Sequence, residues 1–298
     1  MFRLTKLNFK NAMMTSETLF GLGLELAAAL VSGLLLAQKG GTNAFELTET
    51  GFLSWIAGVF ITFALTLDND SGTVRNRLIA GFSRAKVLLS QIMTAMLLSL
   101  VYLLATLLPY VIFCHSMIVK GRTAGDVFLM LVTAVCGYLL TGALAGVLAT
   151  VIFSRTGAVL GFIAAAIAVT YASVELFENT LYPQGSTIGS NSSQQVTGPG
   201  RTGLKLLVLN SPIVQTLLYD EVKSSSSKLD DYRNRIGTAE MYNAADPDFS
   251  ANIGYMKAKL SQLEEQQRDL GFVPLYTLGG IAVLSAAGLL IFRKRNIV

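Results

Sequence analysis

The chain has 298 residues, of which 52% are hydrophobic and only 14% charged, with a formal net charge of +4. Soluble domains carry about 25% charged residues, so this balance argues against an ordinary water-soluble protein and points to the bilayer. The two cysteines, Cys114 and Cys136, fall in or at the edge of apolar runs and make no disulfide framework.

In chain order, residues 1–16 read as an interfacial helix. Arg3, Lys6 and Lys10 form one basic stripe, with Phe2, Phe9 and Met13 on one side of it and Leu4, Leu7 and Met14 on the other. Such a helix lies at the headgroup boundary beside anionic lipid; a frayed terminus is the alternative. Six apolar runs follow, near residues 18–37, 51–67, 87–113, 127–153, 157–177 and 272–292. Runs of about 20 apolar residues read as membrane helices, because lipid offers the backbone no hydrogen-bond partners. The first run follows basic residues as a signal peptide would. It is too long for a signal core, contains Glu25 and precedes no A-x-A site, so it is expected to be a retained span.

The expected fold is therefore all-α and integral to the membrane, with six transmembrane helices, an amino-terminal interfacial helix and a mainly helical extracellular insertion. Residues 17–177 hold spans one to five, 178–271 the insertion, and 272–298 the sixth span with a basic tail. With the amino terminus in the cytoplasm, eleven Lys and Arg lie on the inner side (Arg3, Lys6, Lys10, Arg75, Arg77, Arg84, Lys86, Arg155, Arg293, Lys294, Arg295). Only Lys39, Lys120 and Arg122 lie in the short outer loops. The positive-inside rule then puts both termini in the cytoplasm, and nucleic-acid binding is not needed to explain the charge.

The insertion begins with a Gly-, Ser- and Asn-rich stretch, residues 181–203, which reads as a mobile loop. Within it, Asn191-Ser192-Ser193 matches a glycosylation acceptor, relevant only in a eukaryotic secretory pathway. Beyond it, Leu218, Val222, Ser225, Leu229, Tyr232 and Ile236 recur at steps of four and three. So do Ile253, Met256, Leu260, Leu263, Gln267 and Leu270. Two such seams suit an antiparallel helical hairpin, with Pro212 in one first turn and Asp248 capping the other arm. The poor helix-forming run 224–227 weakens the first arm, and two separate short surface helices are the alternative.

Motifs for phosphate cradling, zinc hydrolysis, serine hydrolysis or paired CxxC sites are absent. The single histidine, His115, adjoins Cys114, but helix neighbours point about 100° apart, unsuited to a nucleophile–base pair. Glu25 is the one acid well inside a span. It is a candidate for a translocation path, a structural hydrogen bond between helices, or a span that begins later. Gly142 with Gly146, and Gly157 with Gly161 and Ala165, form small-residue stripes for close helix approach, within one subunit or at a dimer seam.

Segment 68–86 gathers several features. Asp68 and Asp70 come first, Gly72 permits a turn, residues 74–80 can make one or two helical turns, and Ser83 can cap the next helix. Arg75, Arg77, Arg84 and Lys86 supply four basic residues. Here the chain resembles the membrane subunit of a type-2 exporter of the ATP-binding-cassette family. Those permeases place an acidic, glycine-containing stretch and a short helix after the second span, then a proline followed by Ser-Arg. Asp68, Asp70, Gly72, Thr73, Arg75, Asn76, Ser83 and Arg84 fit the pattern; Asp stands where Glu is usual, and Gly81-Phe82 where proline is common. The ending Phe292-Arg293-Lys294-Arg295-Asn296-Ile297 is similar to the family's closing basic motif.

The resemblance implies a permease that pairs with a second copy or a similar permease and with two separate ATPase subunits, which hold ATP and Mg. Asp70, Gly72, Arg75, Asn76, Arg77 and Arg84 would form the ATPase-coupling contact. It further implies a multi-pass protein of a bacterial plasma membrane, exporting a peptide, an antibiotic or a lipid-like amphiphile. A membrane-anchored sensor or assembly scaffold with a helical ectodomain is the alternative, and a membrane-embedded enzyme a more remote one.

Overall fold

A computed structural model describes residues 2–38, 48–70, 72–119, 123–152, 154–182, 199–242 and 247–294. Among these the regular elements are all helices: α1 (Phe2–Met13), α2 (Ser16–Gln38), α3 (Thr48–Asp70), α4 (Thr73–Ile79), α5 (Arg84–Val119) and α6 (Ala124–Val151). Next come α7 (Arg155–Leu176) with a π-helical turn (Phe177–Leu181), α8 (Pro199–Val208), α9 (Pro212–Tyr242), α10 (Pro247–Gly271) and α11 (Val273–Lys294). Six of them, α2, α3, α5, α6, α7 and α11, are long and apolar enough to cross a bilayer. The protein is a multi-pass membrane protein.

The helices overrun the apolar runs that announce them. Because α3 continues to Asp70, both Asp68 and Asp70 belong to its last turn and not to a loop. The fifth helix runs from Arg84 to Val119 through Pro109; a proline removes one backbone hydrogen bond, which the rest of so long a helix tolerates. Thr123 and Asp126 start α6 with a reciprocal capping box.

At the centre stands α6, which packs against α3, α5, α7, α9 and α11. Its small residues make that possible. A Cβ on Gly142 would sit 2.9 Å from the Ala95 carbonyl, and one on Gly146 would sit 2.8 Å from Ile92 Cα, so both glycines let α5 approach within backbone contact. This stripe is an intramolecular seam. Gly161, from the second stripe, meets only the flexible tip of Ile152 among the described residues.

The insertion between α7 and α11 is rooted in the bundle. Pro212 and Ile213 of α9 lie against Gly51, Pro212 also faces Gly137, and Ile213, Val214 and Leu218 are buried. The buried Gln215 amide donates to the Leu209 carbonyl (2.8 Å) and to Thr277 Oγ1 (2.9 Å). Farther out, α9 and α10 pack as a hairpin through Leu218, Leu229, Ile236, Met256, Leu263 and Leu270. Gln266 takes the buried place expected for Gln267 and donates to Glu221 (2.6 Å). The helix continues through 224–227, because the seam on either side holds it. Residues 199–203, read from composition as loop, form the first turn of α8, which Pro199 opens in the position where a missing N–H costs nothing. Asn191 and most of the expected loop lie outside the described residues.

Gly146→Leu should separate α5 from α6 and cost about 1–3 kcal/mol, whereas Gly161→Leu should leave the thermal midpoint in detergent nearly unchanged. Equal loss in both variants would contradict the intramolecular seam.

Candidate functional site

Short as it is, α4 is a defined element. Gly72 adopts φ +69°, a left-handed turn that favours glycine, and lets the chain reverse after α3. At the other end Gly81 (φ +86°) closes the helix. The Phe82 N–H donates to the Arg77 carbonyl and the Gly81 N–H to that of Leu78, both at 3.1 Å, which is a Schellman motif. The Gly81-Phe82 pair is thus the physical stop of α4. Ser83 then caps α5, its Oγ accepting from the Lys86 N–H (3.4 Å).

The helix is anchored by one face. Val74 is 1% exposed and packs in a small core with Val87, Leu88 and Ile92 of α5, Val147 and Val151 of α6, and Phe292 of α11. Burying such a side chain contributes about 1.5–3 kcal/mol, and by element α4 packs mainly on α3 and α5. Arg77, three residues on from Val74, turns inward with it. Arg84 also turns inward, across the fold: Nη1 donates to the Phe292 carbonyl (3.2 Å) and the Arg293 carbonyl (2.7 Å). A guanidinium on the last carbonyls of a helix satisfies orphan acceptors and complements the helix dipole.

What α4 presents outward is Arg75 and Asn76, both exposed, with Ile79 (74% exposed) and Phe82. Of the residues expected at a coupling contact, Gly72, Arg75 and Asn76 therefore lie on this platform. Arg77 is buried on the inner face, Arg84 bridges to the end of α11, and the Asp70 side chain is outside the described residues. The closing basic motif is described only through Lys294. Ile79 and Phe82 went unnoticed in the sequence, although the i, i+3, i+4 spacing of Val74, Arg77 and Leu78 marks the opposite face as the inner one.

The same end of the bundle carries α1. It packs on α5 through Leu4, Thr5, Asn8 and Ala12, with Asn8 Nδ2 donating to Ser90 Oγ (3.4 Å). Arg3, Lys6 and Lys10 are exposed on the side away from that contact. Arg155, opening α7, pairs with Glu17 of α2 (2.7 Å) and stacks over the Phe63 ring of α3 (3.7 Å to the centroid).

Glu25 sits elsewhere, fully buried where α2, α5 and α6 meet. Its Oε1 accepts from Tyr138 Oη (2.6 Å) and Thr106 Oγ1 (2.7 Å), while those two hydroxyls are 2.8 Å apart. The geometry is that of an interhelical polar clasp through Oε1, while the buried Oε2 has no hydrogen-bond partner among the described residues. At the far end of the bundle a second polar cluster ties α8 to α10. Lys205 lies 2.7 Å from Glu265 and 2.6 Å from Asp269, Arg201 lies 2.7 Å from Glu265, and the Tyr182 hydroxyl donates to Asp269. Burial, then the adjoining Asp269 carboxylate, push the Tyr182 phenol well above its ordinary range, so it remains a donor.

Among the described residues no cluster of His, Cys, Asp and Glu is placed to hold a metal ion. No protein-family model matches this sequence, and no curated protein matches it significantly.

Glu25→Ala removes the acceptor shared by the two hydroxyls, leaving Thr106 the Tyr102 carbonyl (3.1 Å) and Tyr138 the Thr106 oxygen (2.8 Å), and should cost about 1 kcal/mol of stability in detergent. Glu25→Gln, which keeps a carbonyl oxygen in place, should retain most of it. A wild-type melting profile for Glu25→Ala would contradict the clasp.

Proposed function

We propose that the protein is the membrane subunit of a type-2 exporter of the ATP-binding-cassette class, in which α4 is the coupling helix. The observation that carries this reading is the anchoring of α4. A seven-residue helix between two spans packs on α3 and α5, buries Val74 in a core shared with α6 and α11, and turns a basic and apolar face outward. Such a helix is a lever. A partner pressing on Arg75, Asn76 and Ile79 would move the adjoining ends of α3 and α5, and Arg84 would carry the displacement into α11.

In this reading the α4 end faces the cytoplasm of a bacterium and both termini lie there, as the eleven basic residues of that side favour. A separate pair of ATPase subunits holds ATP and Mg, and two copies of this chain, or this chain and a similar permease, form the pathway. ATP shifts such a machine only by binding one ATPase geometry better than the other. The platform then transmits that difference to the spans. α1, its basic stripe turned away from α5, lies against anionic headgroups. The substrate is a peptide, an antibiotic or a lipid-like amphiphile moved outward.

The test is purification of the full chain from its native membrane, followed by sequencing of what accompanies it. The account predicts an ATPase with a phosphate-binding loop. Arg75→Glu, an exposed position, should leave stability within about 0.5 kcal/mol and lower the recovered ATPase at least tenfold. Arg77, being buried, is a poorer probe because its substitution disturbs the seat itself. A partner without a phosphate-binding loop, or undiminished recovery with Arg75→Glu, would overturn the assignment.

A further inference from the structure

Between α8 and α9 the helix breaks at residues 209–211, and the break lies well inside the bundle. Leu206 Cδ1 is 3.2 Å from where a Cβ on Gly279 would stand, Asn210 abuts Gly280 of α11, and Pro212 faces Gly137 of α6. Gly280 stands 14 residues before Lys294, and Gly137 stands 14 before Val151, the ends of these helices nearest α4. At helical rise each count is about 21 Å, and any tilt only lowers the height reached. The hydrocarbon core of a bilayer is about 30 Å thick. Counted from the α4 end, the break therefore lies about 10 Å inside the opposite face of that slab.

The chemistry of the break suits a place without water, where backbone groups need partners within the protein. The Lys205 carbonyl accepts from the Leu209 N–H (2.9 Å) and the Val208 carbonyl from the Ser211 N–H (3.3 Å). The Leu206 carbonyl accepts from Asn210 Nδ2, and the Leu209 carbonyl from Gln215 Nε2 (2.8 Å). Two side-chain amides thus take the place of water at the end of α8. Gln215 is fully buried and is steadied by Thr277 of α11 (2.9 Å).

The sides of α8 differ in the same sense. Arg201 and Lys205 reach to Glu265 and Asp269, acids of α10 that precede the α11 span. Long cationic side chains extend to the water boundary in this way. Leu207 turns to the other side and is 64% exposed, as are Leu275 (63%) and Leu278 (64%) on the neighbouring span. Because α8 packs on both α7 and α11, Leu207 continues the outward apolar band of those two helices.

We infer that α8 and the first turn of α9 form a re-entrant hairpin within the bilayer. Asn210 and Gln215 close its break, and Leu207 is set against lipid acyl chains. The inference is independent of the ATPase reading and of which membrane face is cytoplasmic.

The test places a nitroxide on the full chain, its two native cysteines replaced, in phosphatidylcholine liposomes. Collisions with oxygen, which concentrates in lipid, are compared with collisions with a water-soluble nickel chelate. The labelled sites are Thr202→Cys and Leu207→Cys on α8, Leu278→Cys on α11 and Gln267→Cys on α10, all exposed positions. The expected oxygen-to-nickel ratio at Leu207→Cys matches that at Leu278→Cys and exceeds that at Gln267→Cys at least fivefold. Thr202→Cys should fall between, because α8 descends. A Leu207→Cys label as open to nickel as Gln267→Cys would overturn the hairpin, and so would equal ratios at Thr202→Cys and Leu207→Cys, which mean a helix lying flat on the surface. A Leu207→Cys label closed to both reagents would mean that a second copy covers α8 and would overturn the lipid contact.

Discussion

The close approach of α5 to α6 at Gly142 and Gly146 is the constraint on which the rest of the fold depends. In lipid no hydrophobic force drives helices together, so association relies on shape and on polar contacts between neighbours. Stripped of side chain along one stripe, α6 touches α5 nearly backbone to backbone. Its remaining faces then reach every other group of the bundle: Tyr138 to Glu25 of α2, Thr141 to Ser54 of α3, Gly137 to Pro212 of α9, and Val147 to Gly288 of α11. A bulkier α6 would separate all of these at once.

That arrangement gives the two ends of the molecule different characters. At the α4 end the contacts are small and apolar, concentrated on Val74 and Phe292, with Arg84 bridging to the last carbonyls of α11. At the α8 end the contacts are ionic: Lys205 and Arg201 with Glu265 and Asp269, and Lys223 with Asp126 (2.7 Å). These tie α8 to α10 and fix the hairpin to the bundle.

The spans themselves were plain in the sequence, since a helix in lipid has to announce its length in apolar residues. Both seams of the hairpin were legible for the same reason: Leu218, Leu229, Leu263 and Leu270 recur with the period of the helix. What stayed hidden depends on partners distant in the chain. Arg84 reads locally as a membrane-edge charge, yet its carbonyl partners lie 208 and 209 residues away. Glu25 announces that it needs a partner but not that Thr106 and Tyr138 supply it. The composition of 199–203 conceals α8, whose helix is held by Lys205 and Arg201 reaching acids on α10. The role of α4 was half visible: its existence and its glycines could be read, but which basic residue faces out required the seat beneath Val74.

The central claim, that α4 is the surface an ATPase drives, is tested most directly by cross-linking. In a chain whose native cysteines are replaced, Ile79→Cys on α4 and Leu207→Cys on α8 are two exposed positions at opposite ends of the bundle. With a short photoactivatable thiol reagent in native membranes, the account predicts an adduct between Ile79→Cys and a phosphate-loop ATPase whose yield changes on adding ATP, and no such adduct from Leu207→Cys. Absence of an ATPase adduct from Ile79→Cys, or an equal yield from both positions, would contradict it.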